Sequence, residues 1–427
     1  MTAGTAGSGR PDSLLTTSPA FRRYWTARTV SMAGSAVSGT LLPLLVYQTS
    51  RSASLTSFVS VALVAPFPLF GFVAGAAADR VDAKRVLLAC DLICTVAIGA
   101  IPVAHALSVL TPGFVYLATF ASATAVVWFD AASFGTLLAL AGRDRIGEAN
   151  SLVWSSYSVV RAVGPAAAGL LAGWLGTAGG ITVDAASYLA SFGLVLTIPG
   201  TVWAGRAAPA AGRAERRLRA EIAEGLAYLW RKRLIRVFTL CAAANGFTGG
   251  AVFGLLVVYS ARRLGHAGGG AVGLLFAAGG LGAVLGSVLT RDDRLAVIRR
   301  RVVTALLAAF LLALLLSVVT SYLLALVVYL GWNGTQLSIT VNTITARQKI
   351  VPSRLQGRVN TTGRMIAYGC TPLGAAAGGL LADRTGVPVA IAACAGVTGL
   401  VWVYATLVLG GPRILLTGVP RRRLSSG

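Results

Sequence analysis

A few groups able to hold or move a proton stand inside otherwise apolar runs of this sequence: Asp91, Asp130 and Asp184, with Arg161 the deepest charge. A carboxylate at bilayer depth is costly when ionised, so it is functional by default and has a partner. Asp130 lies 13 residues before Arg143, and Arg161 lies 13 residues after Glu148. If the two runs form an antiparallel hairpin, these side chains sit at similar depth and can pair, the acid exchanging a proton. The other reading of Arg161 is a cation facing a central cavity, where it meets an anionic group of a bound molecule. Arg28 and Arg364 lie only about six residues inside their runs, so their guanidinium groups can snorkel to the interface. Asp184 can do likewise at the far end of its run, or cap a helix start. After residue 235 no acid interrupts an apolar run before Asp383, which lies at a loop. Any carboxylate proton carrier inside the runs therefore belongs to the N-terminal half.

A second charged pattern occupies a tight turn between two apolar runs. It reads Gly75, Asp79, Arg80, Asp82, Lys84, Arg85. Asp79 ends a helix, where the dipole disfavours an acid, so it needs a cationic partner. Arg80, Lys84 and Arg85 are local choices; Arg358 and Arg364 are choices from the other half of the chain. A bond made only while one side is closed would work as a gate latch.

Other chemistries find no support. The five cysteines lie in apolar stretches without disulfide or zinc spacing, and His105 and His266 are far apart. No metal site, no cofactor and no catalytic constellation is expected. No Gly-x4-Gly-Lys-Ser/Thr loop is present, so the chain is not expected to hydrolyse ATP. The net charge of +23 would suggest nucleic acid in a soluble protein, but its distribution argues otherwise.

The elements that position these groups are helices in lipid. The chain has 427 residues, 56% hydrophobic and 12% charged, with a mean hydropathy of +0.75. Such a chain cannot cover its surface with polar groups. Twelve runs are long enough to span a bilayer, at about 24–48, 54–78, 86–107, 112–135, 151–175, 179–202, 235–260, 268–290, 302–319, 321–345, 361–382 and 386–410. About thirty of the 37 basic residues fall in one alternating set of connections and the two termini, which orients both ends to the cytoplasm of a plasma membrane. The basic excess meets anionic lipid, and no nucleic-acid partner is expected.

Residues 1–20 read as a disordered cytoplasmic start, 21–202 as a six-helix bundle, 203–234 as a linker, 235–411 as a second bundle and 412–427 as a basic tail. In the linker, Ile222, Leu226, Leu229 and Trp230 fall at helical spacing, which predicts an amphipathic helix on the membrane face. Gly71/Gly75 and Gly282/Gly286 have helix-contact spacing. A shift of 210 residues aligns Gly147, Asn150, Gly164 and Gly169 with Gly357, Asn360, Gly374 and Gly379. The halves are therefore parallel repeats, and span five corresponds to span eleven. The twin of the charged turn has Thr290 where the acid would stand, so any gate built on Asp79 is one-sided.

These segments resemble the major facilitator superfamily, whose signature between spans two and three is a glycine, Asp-Arg and a basic pair. Phe21-Arg22-Arg23-Tyr24-Trp25, Phe129-Asp130, Asp184-Ala185-Ala186-Ser187-Tyr188, Glu224-Gly225-Leu226 and Gly357-Arg358-Val359 resemble the branch of the enterobactin exporter and the macrolide efflux proteins. Gly164, Pro165 and Gly169 resemble the span-five antiporter motif, with departures at Val160 and Ala168. A glycine-proline kink in a packed helix is the structural alternative.

The resemblance implies an all-α polytopic protein of two six-helix bundles. It would export a hydrophobic or amphipathic small molecule, such as an antibiotic, natural product or siderophore, by alternating access in exchange for protons, working as a monomer. Polar and aromatic groups that would line the cavity are Ser31, Ser35 and Ser38 of span one, Asn245, Gly246 and Phe247 of span seven, and Trp332, Asn333 and Gln336 of span ten. Hydrogen bonding between helices explains the Ser and Asn residues equally well. The alternatives are an uncoupled facilitator or lipid flippase of the same fold, and a membrane-embedded enzyme, against which the scattered acids argue. The 34 Arg against three Lys point to a high-GC, bacterial source.

Overall fold

A computed structural model describes residues 13–78, 81–200, 224, 226–288 and 294–409. All regular structure among them is helical. After a short helix, Leu14–Thr17, span one is Pro19–Ser50 and span two is the pair Ala53–Val64 and Pro66–Ala78. Spans three and four are Ala83–Ala106 and Pro112–Ala141. Ile146–Leu196 runs as one helix of 51 residues except at Gly176 (φ 75°, ψ 166°), and the break there separates spans five and six. Spans seven to twelve are Arg233–Arg262, Gly269–Val288, Leu295–Val318, Tyr322–Ile350, Ser353–Thr385 and Val387–Leu409. Among the described residues eleven helices are long and apolar enough to cross a membrane, and the break within one of them makes twelve crossings.

The break between spans five and six falls at Gly176, inside the gap expected at 176–178, and one glycine in the left-handed region makes the turn. One expected boundary changes. Span two is interrupted at Ala65, because Pro66 lacks the N–H that would bond the Ala62 carbonyl. Several helices outrun their apolar windows, span eleven starting at Ser353 rather than at 361, since a helix continues in water once its core turn is formed.

Residues 13–20, expected to be disordered, are ordered. The Ser13 side chain caps the short helix, Leu14 is buried, and the Leu14 N–H donates to Glu148 Oε1 at 2.6 Å. Of the linker helix, Ile222 lies outside the described residues. Leu229 is buried against Ile235, Val351, Leu355 and Val359, while Leu226 and Trp230 stay exposed. This stretch therefore docks on the C-terminal bundle through Leu229, with Tyr228 packed beside it, rather than only lying on lipid.

In the first half, span one packs mainly on the long helix of spans five and six, and span three on spans four and six. In the second half, span seven packs on spans eleven and twelve, and span eight on span ten. The halves meet through span five against span eight, and through the first part of span two against spans seven and eleven. Turns at 81–82, 142–145 and 351–352 lie on one face, here the basic face; those at 51–52, 107–111, 263–268 and 319–321 lie on the opposite face.

Candidate functional site

The charged groups of the first half form one interior cluster, and it differs from the expected one. Asp130 is paired with Arg28 of span one, not with Arg161. Spans four and five scarcely touch, because span one lies against span five where span four was expected. The Arg28 guanidinium does not snorkel; it turns inward and stacks 4.9 Å from the Phe129 ring centroid. Tyr24, fully buried one turn earlier, lies beside Arg28 and Ser133.

Asp91 is also fully buried, and Ser191 Oγ of span six donates to its Oδ2 at 2.8 Å. Asp184 is 1% exposed, so it neither snorkels nor caps a helix start in water. Its neighbour Ser187 donates to its backbone carbonyl at 2.7 Å. Ser35 and the Tyr188 hydroxyl share a 2.8 Å hydrogen bond, and Ser31 donates to the Arg28 carbonyl at 3.1 Å. Both serines thus serve the interior of the first bundle.

In the second half, Asn245 and Gln336 join span seven to span ten. Asn245 Nδ2 donates to the Gln336 carbonyl, and Gln336 Nε2 returns a bond to the Asn245 carbonyl, each at 3.2 Å. Trp332 is buried and stacks on Tyr329 with centroids 5.8 Å apart. Asn333 donates to the Tyr329 carbonyl at 2.9 Å. Phe247 is half-buried, its carbonyl against Gly374 of span eleven. Most of these polar groups therefore hold helices together.

Arg161 sits midway between Ile146 and the break at Gly176. Pro165, four residues on, cannot donate to the Arg161 carbonyl, and that carbonyl lies against Gly280 of span eight. On one flank Gly164 meets Ala36 of span one; on the other, Pro165 and Gly169 meet Gly273 and Gly269 of span eight. The Gly164, Pro165, Gly169 set thus forms part of the seam between the halves. Gly282 and Gly286 pack on Leu330 and Gly334 of span ten, and Gly71 meets Met365, while among the described residues nothing lies within 4 Å of where a Gly75 methyl would stand.

Charged contacts gather at the two ends of the molecule. In the charged turn, Asp79 and Arg80 lie outside the described residues. Asp82 caps span three by accepting from the Lys84 N–H at 2.9 Å. Lys84 Nζ donates to the carbonyls of Leu196 and Ile198 at the end of span six, at 3.0 and 2.6 Å. Arg85 pairs with Asp82 at 3.6 Å, and Arg358 pairs with Glu224. Arg364 stacks over Tyr368 at 5.8 Å.

At the opposite face the halves are latched by Asp383, at the end of span eleven. It accepts from the Ser52 hydroxyl and the Ala53 N–H at 2.8 Å each, and from the Ser54 N–H at 2.9 Å. A carboxylate from one half thereby caps a helix N-terminus of the other. Arg262 adds a contact of 3.9 Å to Asp383 and donates to the Arg51 carbonyl.

Sequence reasoning missed the latch, the Arg28 role and Arg347 of span ten, which is 1% exposed. Asp383 was legible as an acid at a loop; nothing local marked its partner. Arg347 stands near Lys349 in what reads as a basic loop. Among the described residues no group of His, Cys, Asp and Glu could hold a metal ion.

Comparison with known proteins accords with this geometry. The chain is 28% identical over 365 residues to the multidrug efflux pump Tap of Mycolicibacterium fortuitum, covering 83% of this chain and 87% of that one. In fold it is similar to the nucleoside transporter NupG, with a TM-score of 0.74 at 13% identity over 92% of this chain and all of that one. A bacterial homologue of the iron transporter ferroportin in its inward-facing state has a TM-score of 0.69 at 14% identity, over 92% of this chain and all of that one. Residues 15–410 match the model of the family described as transmembrane secretion effector. The chain therefore belongs to the transmembrane secretion effector family of the major facilitator superfamily, and it is a membrane-spanning transporter.

Proposed function

We propose that this transporter exports amphipathic small molecules across the bacterial plasma membrane by alternating access, in exchange for protons, with both termini in the cytoplasm. The observation that carries the reading is the latch that joins the halves at the face opposite the basic loops. The Asp383 latch and the glycine seam close the face opposite the basic loops. On the basic side, contacts between spans two and eleven include the stacked rings of Phe67 and Tyr368 and the approach of Met365 to Gly71. A molecule loaded from the basic side would leave when the latch opens. The kinship with a multidrug efflux pump supports export, and the basic loops support a cytoplasmic basic face. In this reading one chain works alone, with anionic lipid as its surroundings and without an enzymatic step.

Proton coupling rests on Asp130. Protonation would cancel its attraction for Arg28, the bond that ties span one to span four. Those spans would then move as a proton enters or leaves. One charge crossing 100 mV supplies about 2.3 kcal/mol, enough for a concentration ratio of roughly 50. The test is accumulation of an amphipathic fluorescent dye in everted membrane vesicles under an imposed pH gradient. Asp130→Asn should lose gradient-driven accumulation by at least about tenfold, the scale of a partly buried charge pair, while dye counterflow persists. Full gradient-driven accumulation by this variant would exclude Asp130 as carrier. Dye movement indifferent to the gradient in the unaltered protein would favour an uncoupled facilitator or lipid flippase.

A further inference from the structure

We propose that the cleft between the halves selects amphipathic organic anions, held by Arg161 and drawn in past Arg364. This deepens the export reading and rests on it. Arg161 is exposed on span five. Its direction follows from its neighbours on the helix. Gly164 touches span one, and Pro165 and Gly169 touch span eight. Arg161 points between those two contacts, toward the other half, where Gly280 of span eight meets its carbonyl and the adjoining Gly279 meets Tyr329 of span ten. Val159, Val163 and Leu170, on the far side of the same helix, are exposed outward. Trp154 and Tyr157 share the Arg161 face at helical spacing. Their rings meet edge to face with centroids 5.7 Å apart, and the Tyr157 hydroxyl is 3.4 Å from Arg161 Nη1.

No described carboxylate pairs with Arg161 or Arg364. Asp130 is taken by Arg28, Asp91 by Ser191, and Asp184 is enclosed in the first bundle. The 210-residue repeat puts Arg364 of span eleven at the position Trp154 holds in span five, so a cation also stands on the matching face of the partner helix. Behind it lies Arg347, packed on Gly363, with Nε and Nη1 buried and without an acceptor. A cation at the depth of Arg161 is costly without a counter-charge. An anionic substrate group supplies that charge, while Trp154 and Tyr157 offer aromatic surface for the apolar body of the molecule. A carboxylate, enolate or phenolate on a ring-bearing scaffold fits both parts. Export of such an anion is also favoured by an inside-negative potential.

The experiment compares an aromatic carboxylic acid dye with its uncharged primary amide in everted vesicles, for the unaltered protein, Arg161→Gln, Arg161→Lys and Arg364→Gln. The acid should be transported with kcat/KM at least about tenfold above the amide, a factor that one good ionic contact supplies. Arg161→Gln should erase that preference, Arg161→Lys should keep part of it, and Arg364→Gln should raise KM for the acid. Amide transport by Arg161→Gln certifies that the variant is folded. If Arg161→Gln yields no folded protein, the acid-to-amide ratio in Arg161→Lys and Arg364→Gln decides. Equal transport of acid and amide by the unaltered protein, or a ratio that the substitutions leave unchanged, overturns the proposal and leaves export standing. Transport of neither compound, together with no efflux of neutral or cationic dyes, overturns export itself.

Discussion

Asp184 has room for its carboxylate because residue 34 is glycine. A methyl group there would lie 2.0 Å from Ser187 Oγ and 2.6 Å from Asp184 Oδ1. Both atoms belong to a buried arrangement that cannot give way without losing hydrogen bonds. Gly34→Ala should therefore destabilise the protein by about 1–3 kcal/mol, the usual cost of overpacking. Gly39→Ala on the same span has nothing within 4 Å of the new methyl and should be neutral or slightly stabilising. Thermal unfolding of both variants in detergent micelles checks this; equal melting would mean Asp184 does not press on span one. At this scale the sequence was half legible. Asp91, Asp130 and Asp184 stand out because each interrupts an apolar run. Their partners do not, because partner choice is tertiary. Arg28 is close enough to its helix end to reach water, and only the placement of Asp130 beside it turns it inward.

Among the elements, the first part of span two is held at its N-terminus from two directions. Ser52 caps it from within, accepting from the Leu55 N–H at 3.3 Å, and Asp383 caps it from the other half. Loss of a cap costs about 0.5–2 kcal/mol, and here the cost falls on the closed arrangement alone. Asp383→Ala should shift the population toward the form open at that face by roughly 2- to 30-fold. Spin labels at Leu107 and Leu323, both exposed and on opposite halves of that face, would report the shift as a longer distance population. An unchanged distance distribution would mean the latch does not set the balance. The apolar runs themselves were legible because lipid demands long uninterrupted helices. The joint between spans five and six was not visible as a turn of one residue, since Gly176 is one of 51 glycines and only its positive φ distinguishes it. The short helix at Leu14–Thr17 was hidden for a related reason: its order comes from a bond to Glu148, far along the chain.

At the scale of the whole molecule, the glycines sort into two kinds of seam. Some let helices within one half approach, as Gly282 does against the Leu330 carbonyl, where an added methyl would lie at 2.0 Å. Others lie between halves, as Gly273 does against the Pro165 carbonyl, at 2.4 Å, and Gly379 does against Ser57. The repeat and the small-residue spacing made close packing legible, but sequence does not say which seam must open during transport. If the halves rock as rigid bodies, the two kinds should fail differently. Gly282→Ala damages a bundle that stays packed throughout the cycle, so it should lower the melting temperature and the yield. Gly273→Ala obstructs one arrangement and spares the other. It should melt near the unaltered protein yet lose transport, and a single thiol placed at Ser54 in a cysteine-free background should become reactive from the face opposite the basic loops. Melting of Gly273→Ala as low as that of Gly282→Ala would show that the seam between halves is a permanent core contact, and that opening happens elsewhere.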